Sequence, residues 1–432
     1  MKTFTFKLLL LIIVLVMSSG DIIAQVNWTK YPGNPVLPAG LNGEWDRHKF
    51  TQSILYNADS SRYESWFTAS VGPSVGWRPY RIGFAASEDG INWTTYPDPV
   101  LIPGVGGEWD SNTVEAPSVI RENGQYKMWY TTFNEPGTSK IGYATSPDGV
   151  NWTKYNDNPI FEAGTQPWEA GGVYFGCVMP LGGGYKMWYG GFTVGFTSEA
   201  IGYATSTDGI LWQRDTLNNP VLPPSPSGWD DTGVYAPNVL LIDNFYYMWY
   251  SGWGTIDQIG LATSYDGVNW IKHDSNPVLK PSPGQWDHYV VNGGSVMFID
   301  DTLYMWYGSQ GGSGYNYLWQ IGLATSPFVP VAVYDYSTPP TEFALEQNYP
   351  NPFNPSTKIK YSVPQASQVT IKVFDVLGNE IETLINEEKP VGSYEVDFNS
   401  HSGEVRNLPS GVYFYQLKVG DFISTKKMLL LK

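Results

Sequence analysis

The chain of 432 residues has one cysteine, four histidines and only 15% charged side chains. A single Cys177 excludes an intrachain disulfide framework and any cysteine-based metal cluster. Its apolar strand context makes it an expected packing residue. Basic residues are also scarce: residues 25 to 336 hold 14 Lys and Arg against 29 Asp and Glu, a net of −15. That balance excludes nucleic acid and anionic membrane as partners, because both require clustered cations. Long apolar runs are missing too, except near the start, where Lys2 and Lys7 precede the run from Leu8 to Met17. Small or polar residues follow up to Ala24, so residues 1–24 read as a secretory signal peptide rather than a membrane span. No transmembrane span is expected in the mature protein.

What is present in excess is 46 Gly, 32 Pro, 18 Trp, 30 Tyr and 19 Phe. Disorder needs few aromatics, and long helices need Glu, Lys, Ala and Leu, so both are excluded. Many short strands and tight turns are the remaining solution.

A fixed internal period sets the architecture. A Trp-acid pair recurs at Trp45-Asp46, Trp109-Asp110, Trp168-Glu169, Trp229-Asp230 and Trp286-Asp287. Each pair leads into an apolar strand, a strand ending in an aromatic cluster such as Met128-Trp129-Tyr130, a strand such as Ile141-Gly142-Tyr143-Ala144-Thr145-Ser146, an Asp-Gly turn, and a strand such as Asn151-Trp152-Thr153-Lys154. Asp-Gly supplies the positive-φ residues of a tight hairpin. Four-stranded units repeated five times predict an all-β, five-bladed β-propeller over residues 25–330. The fifth unit stops at Pro327-Phe328 without a fourth strand, and Val26-Asn27-Trp28-Thr29-Lys30-Tyr31 is a fourth strand without a unit. The N-terminal strand is therefore expected to close the ring, leaving no blade three-stranded. The triplets at Asn27, Asn92 and Asn151 match the glycosylation pattern, but strand repetition accounts for them. The Asp-Gly turns resemble the Asp-box of sialidases, one residue shorter, and are read as structural hairpins.

No Trp lies beyond Trp319. After a linker over 331–342, alternating runs such as Val369-Thr370-Ile371-Lys372-Val373-Phe374 predict a small antiparallel β-sandwich over 343–432. Asn348-Tyr349-Pro350-Asn351-Pro352-Phe353-Asn354-Pro355, Val373-Phe374-Asp375-Val376-Leu377-Gly378, Leu408-Pro409-Ser410-Gly411-Val412-Tyr413 and the closing Lys426-Lys427-Met428-Leu429-Leu430-Leu431 resemble the type IX secretion C-terminal sorting domain of Bacteroidetes. The resemblance implies export, handling by the type IX secretion machinery, and a secreted or outer-cell-surface location.

Function is sought where residues break the repeat, in the loops gathered around the axis. Repeat positions account for 15 of the 18 Trp, and the remainder, Trp77, Trp253 and Trp319, fall between the second and third strands of their units. Exposed aromatics on a concave face stack on sugar rings, and Arg78 adjoins the first of them. Six residues past each repeated Trp stand Thr51, Glu115, Tyr174, Tyr235 and Asn292, so Glu115 is a lone carboxylate among aromatics and amides and a candidate general acid. Two and three past the Trp, the non-repeating residues include Arg47, His48, Asn112, Asp231, His288 and Tyr289. Asp231 is the candidate base, and the others, with Tyr174, Tyr235 and Asn292, are candidate glycan-binding residues. The repeated acids are read as structural, accepting backbone N–H bonds at the strand start. No cofactor or metal motif occurs; so acidic a face admits an axial cation, but no ligand spacing specifies one.

Five units, Glu115-Ala116-Pro117, Tyr235-Ala236-Pro237 and the Ile-Gly-x-Ala-Thr-Ser-x-Asp-Gly-x-x-Trp pattern together resemble the propeller superfamily of glycoside hydrolase families 43, 32, 62, 68 and 130. This resemblance implies a glycan-directed protein, a glycoside hydrolase or a non-catalytic glycan-binding relative. Family 43 relatives place a general base Asp just before a Pro in the first blade; here Gln52-Ser53 stands in that place. Glu115 keeps the Glu-x-Pro phase of the family's acid.

Overall fold

The computed structural model describes residues 26–72, 79–134, 138–311, 317–328, 340–400 and 408–431. The expected signal peptide and most of the expected linker lie outside them. Among the described residues the one helical element is the 3-10 turn Pro167–Glu169, and the remaining regular structure is strand.

Each sequence unit folds as four antiparallel strands in chain order. Unit one consists of His48–Asn57, Arg62–Ser70, Arg81–Ser87 and Thr94–Thr95. Units two, three and four repeat the order from their own first strands, Glu115–Glu122, Gly172–Leu181 and Gly233–Ile242. Unit five holds Val290–Ile299, Thr302–Gln310 and Trp319–Pro327 and takes its fourth strand from Thr29–Lys30, with Lys30 opposite Ala324. Each first strand packs against the next, and the fifth against the first. The result is an all-β, propeller-like array.

The recurring motifs are one packing device. The repeated Trp packs on the glycine of each Ile-Gly pair: a Cβ on Gly83, Gly142, Gly202, Gly260 or Gly322 would stand 2.4–2.8 Å from the ring of Trp45, Trp109, Trp168, Trp229 or Trp286. Only glycine admits that approach. The second strands bury Trp66, Trp129, Trp188, Trp249 and Trp306 almost completely. Four of these indoles reach into the neighbouring unit: Trp66, Trp129, Trp188 and Trp306 donate to the carbonyls of Gly149, Gly209, Gly267 and Gly90 at 2.7–2.8 Å. Those carbonyls belong to the Asp-Gly turns, so the turns bond adjacent units rather than only finishing their own. Unit five has no such turn, and Trp249 and Trp28 keep buried indole nitrogens without a partner among the described residues.

The repeated acids are structural, but by a different bond from the expected one. Asp110, Glu169, Asp230 and Asp287 are buried and pair with Lys154, Arg214, Lys272 and Lys30 of the fourth strands. A buried carboxylate calls for a cation more strongly than for an amide N–H, because its full charge is desolvated. In unit one the fourth strand offers no cation, and Lys49 of the first strand pairs with Asp46 at 2.9 Å.

The C-terminal part has two antiparallel sheets, Ala344–Leu345, Ser356–Val363 and Gly392–Asn399 in one, Glu380–Lys389, Ser367–Phe374, Gly411–Val419 and Phe422–Leu430 in the other. Alternate residues, among them Ile359, Tyr361, Val369, Ile371, Tyr415, Leu417 and Met428, enter one shared core.

Candidate functional site

Every first strand breaks its ladder with a bulge at one residue of positive φ: Thr51 (40°), Ala116 (48°), Phe175 (49°), Ala236 (47°) and Gly293 (56°). Non-glycine residues held there cost on the order of 1–3 kcal/mol each. Hydroxyls of neighbouring second strands hold the bulges: Thr68 Oγ1 accepts from Ala116 N–H at 2.8 Å, Thr131 Oγ1 from Phe175 at 3.0 Å and Ser251 Oγ from Gly293 at 2.9 Å. Just past the bulges, Ser53, Ser118, Cys177, Asn238 and Ser295 each accept a backbone N–H from the next first strand. Cys177 thus acts as a thiol version of serine in this ring.

The bulges correct one sequence alignment. The residue before each bulge is Phe50, Glu115, Tyr174, Tyr235 or Asn292, paired with Thr68, Thr131, Gly190, Ser251 or Gly308. Phe50, not Thr51, is the equivalent of Glu115, because the segment from the repeated Trp to the bulge is one residue shorter in unit one. Gln52 falls at the position of Pro117 and Gly294; its amide donates to the carbonyl of Gly293 at 2.9 Å and to that of Trp306, binding unit one to unit five. The bulge residues and their neighbours line an open cavity of about 60 Å³, large enough for water.

A second ring lies two residues before each Ile-Gly pair: Tyr80, Ser139, Glu199, Asp257 and Trp319. It meets the first ring side chain to side chain. Phe50 packs edge-on to Tyr80 at 5.4 Å and against Trp319 at 5.8 Å. Tyr174 donates its hydroxyl to Glu199 Oε1, and Trp253 donates its indole N–H to Glu199 Oε2 at 2.5 Å. Tyr235 donates to Asp257 Oδ2 at 2.7 Å; Asn292 Nδ2 donates to the Tyr235 hydroxyl at 3.1 Å and to Asp257 Oδ2 at 3.3 Å. The Tyr174 and Tyr235 rings stack at 6.2 Å, and Phe133, Phe175, Phe192 and Phe196 extend this aromatic wall.

Burial dominates the electrostatics. Glu199 is 4% exposed, and desolvation, reinforced by the charge of Asp257, pushes its carboxyl up to about 7 against the two hydrogen bonds that favour the anion. Desolvation raises Asp257 as well, opposed by Tyr235 and Asn292. The Tyr174 and Tyr235 phenols are raised by burial and by these carboxylates, so both are donors at any physiological pH.

The structure distributes the expected site residues unevenly. Tyr174, Tyr235, Trp253 and Asn292 come together around Glu199 and Asp257. Glu115 is half-buried and accepts a bond from Thr113 Oγ1 at 3.0 Å. Asp231 is exposed beside Thr232, and Asn112 is half-buried. At the junction of units five and one, His48 is fully buried; Nε2 faces the Gly72 carbonyl at 2.8 Å while Nδ1 accepts the backbone N–H of Trp319, so the ring is a neutral brace under Trp319. Burial lowers its pKa. Arg47 is half-buried with its Nε unpartnered, as is the Trp319 indole nitrogen, among the described residues. His288 packs on Tyr289, which stacks on Tyr317 at 5.5 Å. Trp77 and Arg78 lie outside the described residues. Among those residues no three His, Cys, Asp or Glu side chains converge as metal ligands.

Glu199 and Asp257 were missed by the sequence reading. Aligning the units on Ile-Gly instead of on the Trp-acid pair exposes them, since no two units share the residue two places earlier.

Residues 347–431 match the secretion system C-terminal sorting domain family. An uncharacterised protein of Mycobacterium tuberculosis is 28% identical over 224 residues, 50% of this chain and 73% of that protein. The 1,2-beta-oligomannan phosphorylase of Thermoanaerobacter sp. (strain X514) is 26% identical over 295 residues, 63% of this chain and 90% of the relative. A solved structure from work on GH130 mannoside phosphorylases and hydrolases that target β-1,2 mannosidic linkages in Candida mannan is 19% identical with a TM-score of 0.55, covering 71% of this chain and 95% of the other. The N-terminal part has the propeller-like fold of GH130- and GH43-type glycosidases. The sorting domain directs the chain to secretion and the cell surface. Among the described residues no helix is long and apolar enough to cross a membrane.

Proposed function

We propose that the protein is an exported, glycan-directed five-bladed propeller, closed by its N-terminal strand and followed by a β-sandwich sorting domain, that hydrolyses glycosidic bonds of a poly- or oligosaccharide. Glu115 is its general acid and Asp231 its base. The observation that carries the reading is the first-strand ring Phe50, Glu115, Tyr174, Tyr235 and Asn292, in which one carboxylate stands among aromatic and amide side chains. Aromatic faces suit the C–H faces of sugars, and a half-buried Glu suits protonation of a leaving oxygen. Exposed Asp231 has the water that an inverting base activates.

The test is hydrolysis of a glycan panel that begins with β-1,2-linked mannosides, the linkage named for the relatives, assayed with and without inorganic phosphate. Glu115→Gln is expected to lower turnover by about 10²-fold or more while binding persists. Unchanged turnover in that variant rejects the hydrolase reading. A second reading, glycan binding without cleavage, is favoured by Gln52 at the place of the family 43 base and by non-carboxylates in four of the five ring positions. It predicts retained binding with no product in either assay.

A further inference from the structure

Units three and four meet at a seam where an acid, a glycine and a tryptophan lie side by side. Glu199 opens the third strand of unit three and pairs in parallel with Gly233, which pairs in turn with Trp253 at the end of the second strand of unit four. A Cβ on Gly233 would lie 2.5 Å from Trp253 Nε1 and 2.8 Å from Glu199 Oε2, so the bare glycine lets the acid and the indole meet across it. The matching seam between units two and three runs through Ser139, Gly172 and Phe192, with neither a carboxyl nor an indole N–H. Glu199 divides its oxygens: Oε1 accepts from the Tyr174 hydroxyl of its own unit and Oε2 from Trp253 of the next, at 2.5 Å. Among the described residues, the titratable groups that act on it are Tyr174 of the first strand of unit three, Tyr235 of the first strand of unit four and Asp257 of the third strand of unit four.

Protonation of this carboxyl affects its two partners differently. An indole N–H only donates, whereas a phenol both donates and accepts. The incoming proton therefore settles on Oε1, where Tyr174 turns from donor to acceptor, and Oε2 remains as a neutral carbonyl for Trp253. The indole then exchanges a charge-assisted bond for a neutral one of roughly half the strength. We propose that Glu199 is a proton-responsive clasp between units three and four: ionised, it fixes the half-buried Trp253 indole, and protonated, it loosens it. Burial and the charge of Asp257 place this change near neutral pH, since they push the Glu199 carboxyl up to about 7. The clasp is a property of the fold and holds whether the protein cleaves glycan or only binds it.

The full chain, labelled with nitrogen-15 in its tryptophan indoles, is titrated from pH 5 to pH 9 by nuclear magnetic resonance, and near-ultraviolet circular dichroism monitors the fold. Trp253→Phe identifies the Trp253 signal by its loss. That indole proton is expected to move upfield as pH falls, in one step centred near pH 7. Glu199→Gln keeps an acceptor and the shape but cannot take up the proton, and should abolish the step. Asp257→Asn removes a neighbouring charge and should lower the midpoint, whereas Tyr174→Phe removes a bond to the anion and should raise it, each by roughly half a unit or more. These two variants decide the question where Glu199→Gln fails to fold. A Trp253 signal without a step between pH 5 and pH 9, a step that persists in Glu199→Gln, or midpoints that do not move in opposite directions overturn the clasp and leave the glycan-directed reading intact.

Discussion

Glu199 shows how burial and hydrogen bonding oppose one another at a single side chain. Its folded-state value of about 7 lies above the ordinary carboxylate range, so the folded protein holds a proton that the unfolded chain has released. The sign follows: between about pH 4.5 and 7 stability falls as pH rises, and Asp257, raised in the same direction, adds to the slope. Denaturant titrations at pH 5 and pH 8 are expected to show lower stability at pH 8, and Glu199→Gln should flatten the difference by roughly 2–3 kcal/mol. An unchanged slope in the variant means that Glu199 does not hold the proton. Tyr174, Tyr235 and Asn292 stood out in the sequence at one position where the units differ, and Trp253 as a tryptophan outside the repeated positions; the structure brings these four together. Phe50 was hidden by a one-residue contraction, and Glu199 and Asp257 by the choice of alignment anchor. No local pattern signals that a carboxylate at the start of one strand, Glu199, meets a tyrosine 25 residues earlier.

At the scale of elements, the packing of Trp on glycine and the cation–acid pairs hold each unit together, and the Asp-Gly turns join one unit to the next. Gly202→Ala places a methyl 2.4 Å from the Trp168 ring and is expected to cost about 1–3 kcal/mol in chemical denaturation. Lys30→Met should cost more, roughly 3–5 kcal/mol, since it strands Asp287, which is 1% exposed. It should also speed hydrogen exchange in Trp319–Pro327, the strand that Thr29–Lys30 covers. Lys154→Met breaks the matching pair with Asp110 inside unit two and serves as the comparison: an equal effect on Trp319–Pro327 exchange would mean that the N-terminal strand has no special closing role. These elements were readable because strand alternation and turn chemistry are local, whereas the bond partners of Asp110, Glu169, Asp230 and Asp287 were not, since they lie 42 to 45 residues away in units two, three and four and 257 in unit five.

Across the whole molecule, an address and a working part occupy separate stretches of one chain. Removing residues 347–431 is expected to leave the protein inside the cell envelope of a type IX-secreting host while its thermal melting is unchanged, as followed by fractionation and circular dichroism. Loss of the melting transition on truncation would show that the two parts are not independent. The period, the strand-rich composition and the sorting motifs determined by themselves that the chain is all-β, repeated and exported, because periodicity and turn residues act over a few positions. The tertiary structure alone decided which side chains share a site. Bulges reset the register near the start of each first strand, and the starts of third strands bring Glu199 and Asp257 against Tyr174, Tyr235, Trp253 and Asn292, a convergence set by burial and hydrogen bonding between units rather than by spacing along the chain.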